Sequence, residues 1–552
     1  MVEKQPTEER EPTWRVLFGR RFDPSETPQN SVYLIAAADN WNDFGHYTRV
    51  DYQIRSRAES RPAEVSGLIG FIAPKSGRND RSLLDQLVQA AGQSTVDADY
   101  KDQFFTMLPS LEAYRSLVQE LGPDIAAQAL IAVNDLVALS EFKGASELLK
   151  RAVQTEVFSL SFMRSSDTFF AFNNAGPILR GLSNEQTGIL SPTLAIRFQL
   201  PGRKNEHELA FRFAHEGELP KRIAVVIGKN GVGKSQTLNR IARAAIEGSD
   251  LLTDGVPGGR PLINRLLAFA PTNEAESVFP SDKRKWPRIW YRRYSLNRSR
   301  RSRRNEYVSD LIIQVARSTQ TIASQSRWEI FLGALDAIAA PRQLHLESSL
   351  SFEPYVRLSS LSRGSEKSVL EKLASINVRA EPVRLIDGDG YPLSSGELSF
   401  LKFAAQASLH IENGSLLLLD EPETHLHPNF ISRFVALLNH LLEATGSAAI
   451  IATHSAYFVR EVFREQVTIL SDNDGVVLAQ RPTLRTFGAD VGAISYFVFG
   501  EDEFSKLASE VERAIIATKS SWAEIYERFK DELSLEMLNS LRAAIEGVEA
   551  SE

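Results

Sequence analysis

The stretch IGKNGVGKSQTLNRIA, residues 227–242, holds Gly228, Gly233, Lys234 and Ser235 in the spacing G-x-x-x-x-G-K-S. Glycines so placed let the backbone curl until its N–H groups face a phosphate chain, and a helix starting there adds its positive end. Lys234 is spaced to reach the β- and γ-phosphates of a nucleoside triphosphate, and Ser235 to ligate magnesium. The candidate nucleotide-binding set in this loop is Gly228, Asn230, Gly231, Gly233, Lys234, Ser235 and Gln236. The plainer alternative is a glycine turn before a helix.

Three further groups bear on the same chemistry. In LLLLDEPETHLHP, residues 416–428, four leucines make a buried strand from which Asp420 and Glu421 emerge. Ligands of open parallel sheets bind at that strand end, where one acid can hold magnesium and a second can polarise a water. Taken alone, the motif is equally a strand ending in a solvated acidic turn. Ser394, Ser395, Gly396 and Glu397 open an amphipathic helix within 391–409, a second anion-receptive helix start. AAIIATHSAYFVR, residues 448–460, is a buried strand ending in Thr453, His454 and Ser455.

Elements that must position these residues are legible around them. RIAVVIG, 222–228, is a continuous apolar run of strand length, and after the loop Leu238, Ile241, Ala242 and Ala245 share one helical face, with Gly248 as the stop. TLAIRFQL (193–200) and LAFRF (209–213) flank a polar turn and predict a hairpin. Leu111, Tyr114, Val118 and Leu121 fall at helical spacing, as do the runs at 125–139 and 145–158.

The order phosphate loop, S-S-G-E, D-E, H resembles that of the ABC-type ATPases. It is most similar to the branch with RecF- and SMC-like repair ATPases, OLD-family proteins and the ATPases of Septu-like and retron-associated phage-defence systems. The resemblance spans 222–250 and 391–460. It implies an α/β fold: an ABC-type P-loop ATPase head with an antiparallel β subdomain and two insertions, one of them helical. It implies that Lys234 and Ser235 are Walker A residues using ATP and Mg2+, that Asp420 and Glu421 are Walker B, that His454 is the switch histidine, and that Ser394, Ser395, Gly396 and Glu397 form the signature loop. Ser395 and Glu397 stand where the transporter form has Gly and Gln. Members pair head-to-tail, so a homodimer or higher homo-oligomer is expected.

The implied organisation is a disordered tail at 1–12, an N-terminal β lobe at 13–79, a helical insertion at 80–165, and the hairpin with the Walker A core at 166–250. An insertion carrying a basic segment follows at 251–390, then the signature, Walker B and switch-histidine core at 391–480 and a C-terminal helical region at 481–552. Strands at 31–38 and 47–56 are expected to join the hairpin in an antiparallel sheet beside the nucleotide.

Composition narrows the function classes. The 552 residues are 43% hydrophobic, carry a net charge of -7 and include no cysteine. Disulfides, thiolate metal sites and cysteine nucleophiles are excluded, and any nucleic-acid contact must be local. No apolar run approaches the roughly 18–20 residues of a membrane helix, and the first residues lack the core of a signal peptide, so a cytoplasmic location and no membrane partner are expected. The segment 283–304 has eleven Lys and Arg and no acid, with Trp286, Trp290, Tyr291 and Tyr294 between them. Lys283, Arg284, Lys285, Arg298, Arg300, Arg301, Arg303 and Arg304 are candidate nucleic-acid contacts, with the aromatics stacking on bases; the alternative is a strand that packs its aromatics inward. Asp472 and Asp474 suggest a hairpin turn before a metal nuclease. The expectation is an ATPase whose nucleotide cycle controls a partner effector, such as a nuclease, in a defence or DNA-transaction complex. A stand-alone repair ATPase is the alternative.

Overall fold

The computed structural model describes residues 14–19, 28–38, 43–56, 61–72, 80–91, 95–98, 103–144, 146–185, 190–200, 202–215, 219, 221–271, 278–283, 287–296, 307–338, 341–349, 353–499, 506–518 and 520–549. The tail expected at 1–12 lies outside them.

Seven strands form the central sheet, in the order Trp290–Ser295, Arg265–Ala270, Leu416–Asp420, Ala448–Thr453, Ile223–Gly228, Val467–Asn473 and Val476–Gln480. Neighbours run parallel except the last pair, which is antiparallel. The runs IAVVIG, LLLLD and AAIIAT are buried at every position, as strands covered on both faces must be. Alternate side chains enter two cores. Val225, Ile227, Leu417, Leu419, Ala449 and Ile451 meet the helices Val308–Arg317, Arg327–Leu335, Ser395–His410 and Pro428–Thr445. Ala224, Val226, Leu416, Leu418, Ala448 and Ile450 meet the helix Lys234–Glu247 and a small sheet built on the hairpin.

Two expectations need correction. The segment 251–390 is not simply inserted: its strands Arg265–Ala270 and Trp290–Ser295 belong to the central sheet. The apolar run LLAFA is the signal for the first of these. Further along lies a four-stranded sheet, Tyr355–Arg357, Leu344–Glu347, Val383–Ile386 and Asp389–Pro392.

The N-terminal strands Ser31–Ala36 and Arg49–Arg55 likewise do not join the hairpin, whose strands Thr193–Gln199 and Glu206–Arg212 pair instead with Leu252–Thr253. They lie in a separate six-stranded sheet with Arg15–Gly19, Ala63–Phe71, Thr95–Asp97 and Phe104–Met107. The last two fall inside the expected helical insertion. Helices Leu111–Leu121, Pro123–Ala132 and Leu136–Lys143 share one apolar core with that sheet, joining Phe18, Val32 and Tyr52 to Phe104, Leu117, Leu130 and Val137. The described residues of 14–185 are thus one sheet-and-helix unit, in which the helices of 111–143 bury their apolar faces against the six-stranded sheet.

A buried ion cluster fastens this unit to the central sheet. Arg115, on the helix Leu111–Leu121, bonds Glu185 through Nε at 2.8 Å and Nη2 at 2.6 Å, and bonds Glu412 through Nη1 at 2.8 Å. Glu412 lies between the helix Ser395–His410 and the strand Leu416–Asp420, and Arg327 and Arg265 stand 3.5 and 3.9 Å from its other oxygen. Burial opposes ionisation of Glu412, yet the three guanidinium groups hold its carboxyl down at about 2. Breaking such a cluster leaves buried carboxylates unpaired, at a cost of about 3–5 kcal/mol. Arg115→Ala is expected to destabilise the chain by that amount and Arg115→Met by less than it loses in ion pairing, both read as shifts of the urea midpoint.

Candidate nucleotide site

The helix after the glycine loop begins at Lys234, with Gly233 left-handed at φ 101°. A Cβ there would lie 2.5 Å from Leu200 Cδ1, and one at Gly228 would lie 2.2 Å from the Leu470 carbonyl oxygen. Only glycine lets the loop turn this tightly against its neighbours. Lys234 Nζ donates to the carbonyls of Gly228 at 3.0 Å and Lys229 at 3.1 Å, which holds the ammonium inside the loop. Burial lowers the Lys234 pKa, while Glu421, Asp420 and Glu423 oppose that shift. Asn230, Gly231 and Gln236 lie exposed along the outer side of the loop. At the turn of the neighbouring hairpin, Arg203 donates to the Gly231 carbonyl at 2.8 Å and pairs with Asp472.

Parallel strand register brings the acids and the histidine to the same sheet edge. Asp420 pairs with Ala452, and Thr453 with Ile227 one residue before Gly228. Asp420 is 4% exposed, with the Ser235 hydroxyl in reach of its carboxylate and Oδ1 lacking a hydrogen-bond partner among the described residues. Burial pushes its pKa up to about 7, reinforced by the charges of Glu421 and Glu423. Glu421 is left-handed at φ 41°, ψ 53°, an uncommon state for a side-chain-bearing residue that turns its carboxylate out of the strand. Its Oε1 lies 3.6 Å from His454 Nδ1.

Sequence inspection overlooked Glu423. Its Oε1 accepts the His454 backbone N–H at 3.0 Å and the Thr453 hydroxyl, and lies 3.3 Å from His454 Nδ1. Burial raises its pKa. The carboxylate therefore laces the strand Leu416–Asp420 to the strand Ala448–Thr453 at their tips. The only signal was a further acid two positions past the D-E pair, hidden by the pair itself. Arg203 gave no signal, because its partner is 28 residues away in the chain. His427 caps the helix Pro428–Thr445, accepting from the Asn429 N–H at 3.3 Å, and among the described residues no acid–histidine cluster could hold a metal by itself.

Ser394 caps the helix Ser395–His410: its hydroxyl accepts from the Glu397 N–H, and Glu397 accepts in return from the Ser394 N–H at 3.0 Å. Glu397 also pairs with Arg384, so its carboxylate is engaged, whereas Ser394 and Ser395 are exposed and Gly396 half-buried. This turn and the loop 228–236 share no hydrogen bond or ion pair among the described residues.

Residues 223–460 match a family model described as "AAA domain, putative AbiEii toxin, Type IV TA system". Residues 223–460 are thus similar to an AAA-type ATPase domain. The chain is 24% identical over 546 residues to Protein ea59 of Escherichia phage lambda, covering 94% of this chain and 95% of that one. Among solved structures, the SMC head domain from Thermotoga maritima aligns at 14% identity over 53% of this chain and 99% of its own, with a TM-score of 0.27. An SMC head bound to the C-winged helix domain of ScpA aligns at 15% identity over 53% and 97%, with a TM-score of 0.26. Overlays this loose carry no weight beside the local geometry.

The ATPase domain has groups suited to ATP and magnesium: a cradle that a Cβ would fill, a lysine amid three carboxylates, and an unpartnered Asp420 oxygen beside a serine hydroxyl. The basic segment is less open than its composition suggests. Trp290 and Tyr294 stack on His410 at 5.7 and 5.6 Å, Tyr294 stacks on Phe269, and the Tyr291 hydroxyl donates to the Pro280 carbonyl. These three aromatics are engaged in packing rather than presented to bases. Lys283 is exposed; Arg284, Lys285, Arg298, Arg300, Arg301, Arg303 and Arg304 lie outside the described residues. Asp472 and Asp474 sit at the antiparallel turn between Val467–Asn473 and Val476–Gln480, and Asp472 is paired with Arg203.

The raised pKa of Asp420 has a stability consequence. A carboxyl ionising near 7 when folded and near 4 when unfolded favours the folded chain below about pH 4 and loses that contribution as pH rises toward 7. Asp420→Asn is therefore expected to raise the melting temperature of the magnesium- and nucleotide-free protein by about 2–4 °C at pH 8, with the gain vanishing near pH 4. Thermal scans across that range check it.

Proposed function

We propose that this chain binds and hydrolyses ATP with magnesium and uses the cycle to control a partner effector. The observation that carries the reading is the convergence of Lys234, Ser235, Asp420, Glu421 and His454 on one edge of the parallel sheet. In this reading the loop N–H groups bind the phosphates, Lys234 moves from its carbonyl partners to the β- and γ-phosphates, and Ser235 and Asp420 hold magnesium. Magnesium bound there would neutralise charge developing on the transferred phosphoryl group. Glu421 orients and deprotonates the attacking water. His454, held through its backbone by Glu423, sets the position of the Glu421 carboxylate.

The exposed signature turn, separate from the chain's own phosphate loop, supports a head-to-tail homodimer in which Ser394, Ser395 and Gly396 complete the partner's site. The family description, with its toxin and TA system, and the phage relative support a role in conflict between phage and host, with a nuclease as the effector class. No helix among the described residues is long and apolar enough to cross a membrane, which agrees with a cytoplasmic site of action. The basic residues at 283–285 and 298–304 remain the proposed nucleic-acid contacts.

Glu421→Gln is expected to retain ATP binding but hydrolyse it at least about 100-fold more slowly, since the base is lost while Asp420 is kept. Lys234→Ala should weaken nucleotide affinity itself. Steady-state phosphate release, with fluorescent-nucleotide titration beside it, separates the two. Near-wild-type turnover in Glu421→Gln would remove that residue from its role.

Glu423→Gln tests the clamp. It should lower turnover about tenfold or more while leaving nucleotide affinity within twofold, because it acts through His454 rather than on phosphate. The purified chain alone should leave plasmid, single-stranded DNA and RNA intact in magnesium or manganese, with cleavage appearing only when a second protein is added.

A further inference from the structure

At the edge of the central sheet opposite the phosphate loop lies a pocket of about 150 Å³. It opens where the helix Lys234–Glu247 ends at Gly248, about 20 Å of helix away from the loop. Its wall joins the two units of the chain: Ser166 comes from the N-terminal unit, while Ser249, Thr253, Arg260 and Arg288 come from the ATPase side. Leu252, Ile263 and Ile289 supply apolar surface.

The two arginines make the pocket unusual. The backbone of Arg288 is pinned from both sides, its N–H donating to the Ile246 carbonyl at 2.9 Å and its carbonyl accepting the Ser166 N–H at 2.7 Å. Its guanidinium has no hydrogen bond or ion pair among the described residues. Arg260 also lines the pocket, donating to the Met163 carbonyl at 2.6 Å with its guanidinium carbon 4.4 Å from the centre of the Phe169 ring. Burial and the positive charge of Arg288 both lower the Arg260 pKa, so each arginine is unfavourable to the other. Asp250 also lines the pocket but pairs with neither. The carbonyl end of the helix at Gly248 accounts for one cation, Arg288, but not for a second, Arg260.

We infer that this pocket binds a phosphoryl group, with Arg260 and Arg288 as its charged ligands and the Ser166, Ser249 and Thr253 hydroxyls as further donors. Two guanidinium groups converging on an anion give charge-assisted, directional bonds that a carboxylate-poor pocket otherwise leaves unused. The volume admits one phosphoryl group with part of its sugar, so the chemical class is a phosphate monoester. It comes either from a free mononucleotide or from the terminal phosphate of a nucleic acid delivered along the basic segment 283–304, which contains Arg288. Because both units contribute to the wall, the bound group would bridge them.

The test uses the full chain carrying Lys234→Ala, so that the ATP site is silent. Fluorescence anisotropy follows labelled dT4 with a 5′-phosphate or a 5′-hydroxyl, and inorganic phosphate and AMP are added as competitors. The 5′-phosphate probe should bind at least tenfold more tightly than the hydroxyl probe, and Arg288→Gln should erase that preference. Displacement by AMP at concentrations below the probe's own Kd would assign the pocket to free mononucleotides, and a preference that AMP does not disturb would assign it to nucleic-acid ends. Arg288→Gln with Lys234 intact should keep ATP turnover within twofold of wild type, which shows that the chain is folded and keeps this test separate from that of the ATP site. Equal binding of the two probes with no binding of AMP, or a preference that survives both Arg288→Gln and Arg260→Gln, overturns the proposal.

Discussion

Glu412 is the residue on which the two halves of the molecule turn. It is 2% exposed and takes charge from Arg115 of the N-terminal unit and from Arg265 and Arg327 of the ATPase side. Ions buried in this way are tolerable only when each is paired and hydrogen-bonded. Glu185 shares the Arg115 guanidinium and also accepts from the Ala323 N–H and from Asn413. Because Glu412 sits between the helix Ser395–His410 and the strand Leu416–Asp420, the N-terminal unit grips the junction of two elements of the central sheet domain rather than a peripheral loop. Separating the units would strand several charges at once, so the interface is closer to all-or-none than a hydrophobic seam would be.

What the sequence made legible follows from the range over which each signal acts. The phosphate loop, its strand and its helix are local: glycine spacing, an apolar run and a 3.6-residue period are contained within 222–248. The strands Leu416–Asp420 and Ala448–Thr453 were equally plain, because strands covered on both faces must be apolar throughout. Partnership was not legible. The strands Ser31–Ala36 and Arg49–Arg55 look like any half-buried strands, and nothing within them says that they pair with Phe104–Met107 by way of Ala63–Phe71 rather than with the hairpin at 193. Glu423 and Arg203 were invisible for the same reason, since their roles exist only after distant strands come side by side.

The basic segment shows how composition misleads when charge and aromatic rings are counted together. In Trp290–Ser295 the rings serve the central sheet, and Arg292 and Arg293 are drawn to His410 and to the Phe279 carbonyl. His410, surrounded by Arg292, Arg265 and Arg327 and buried, is held neutral, with a pKa near 3. An acid-free stretch is thus partly a consequence of packing around one neutral imidazole.

Arg203 carries a consequence for the loop it touches. A peptide unit whose N–H faces a phosphate must aim its carbonyl the other way, and at Gly231 that carbonyl already has the Arg203 guanidinium as its partner. Glycine-rich loops are otherwise free to flip such units, and each flip would have to be undone when ligand arrives. With Arg203 itself held by Asp472, the loop would wait in the orientation that the proposed phosphate binding requires. The entropy of ordering is spent during folding, so less of it opposes the arrival of ligand.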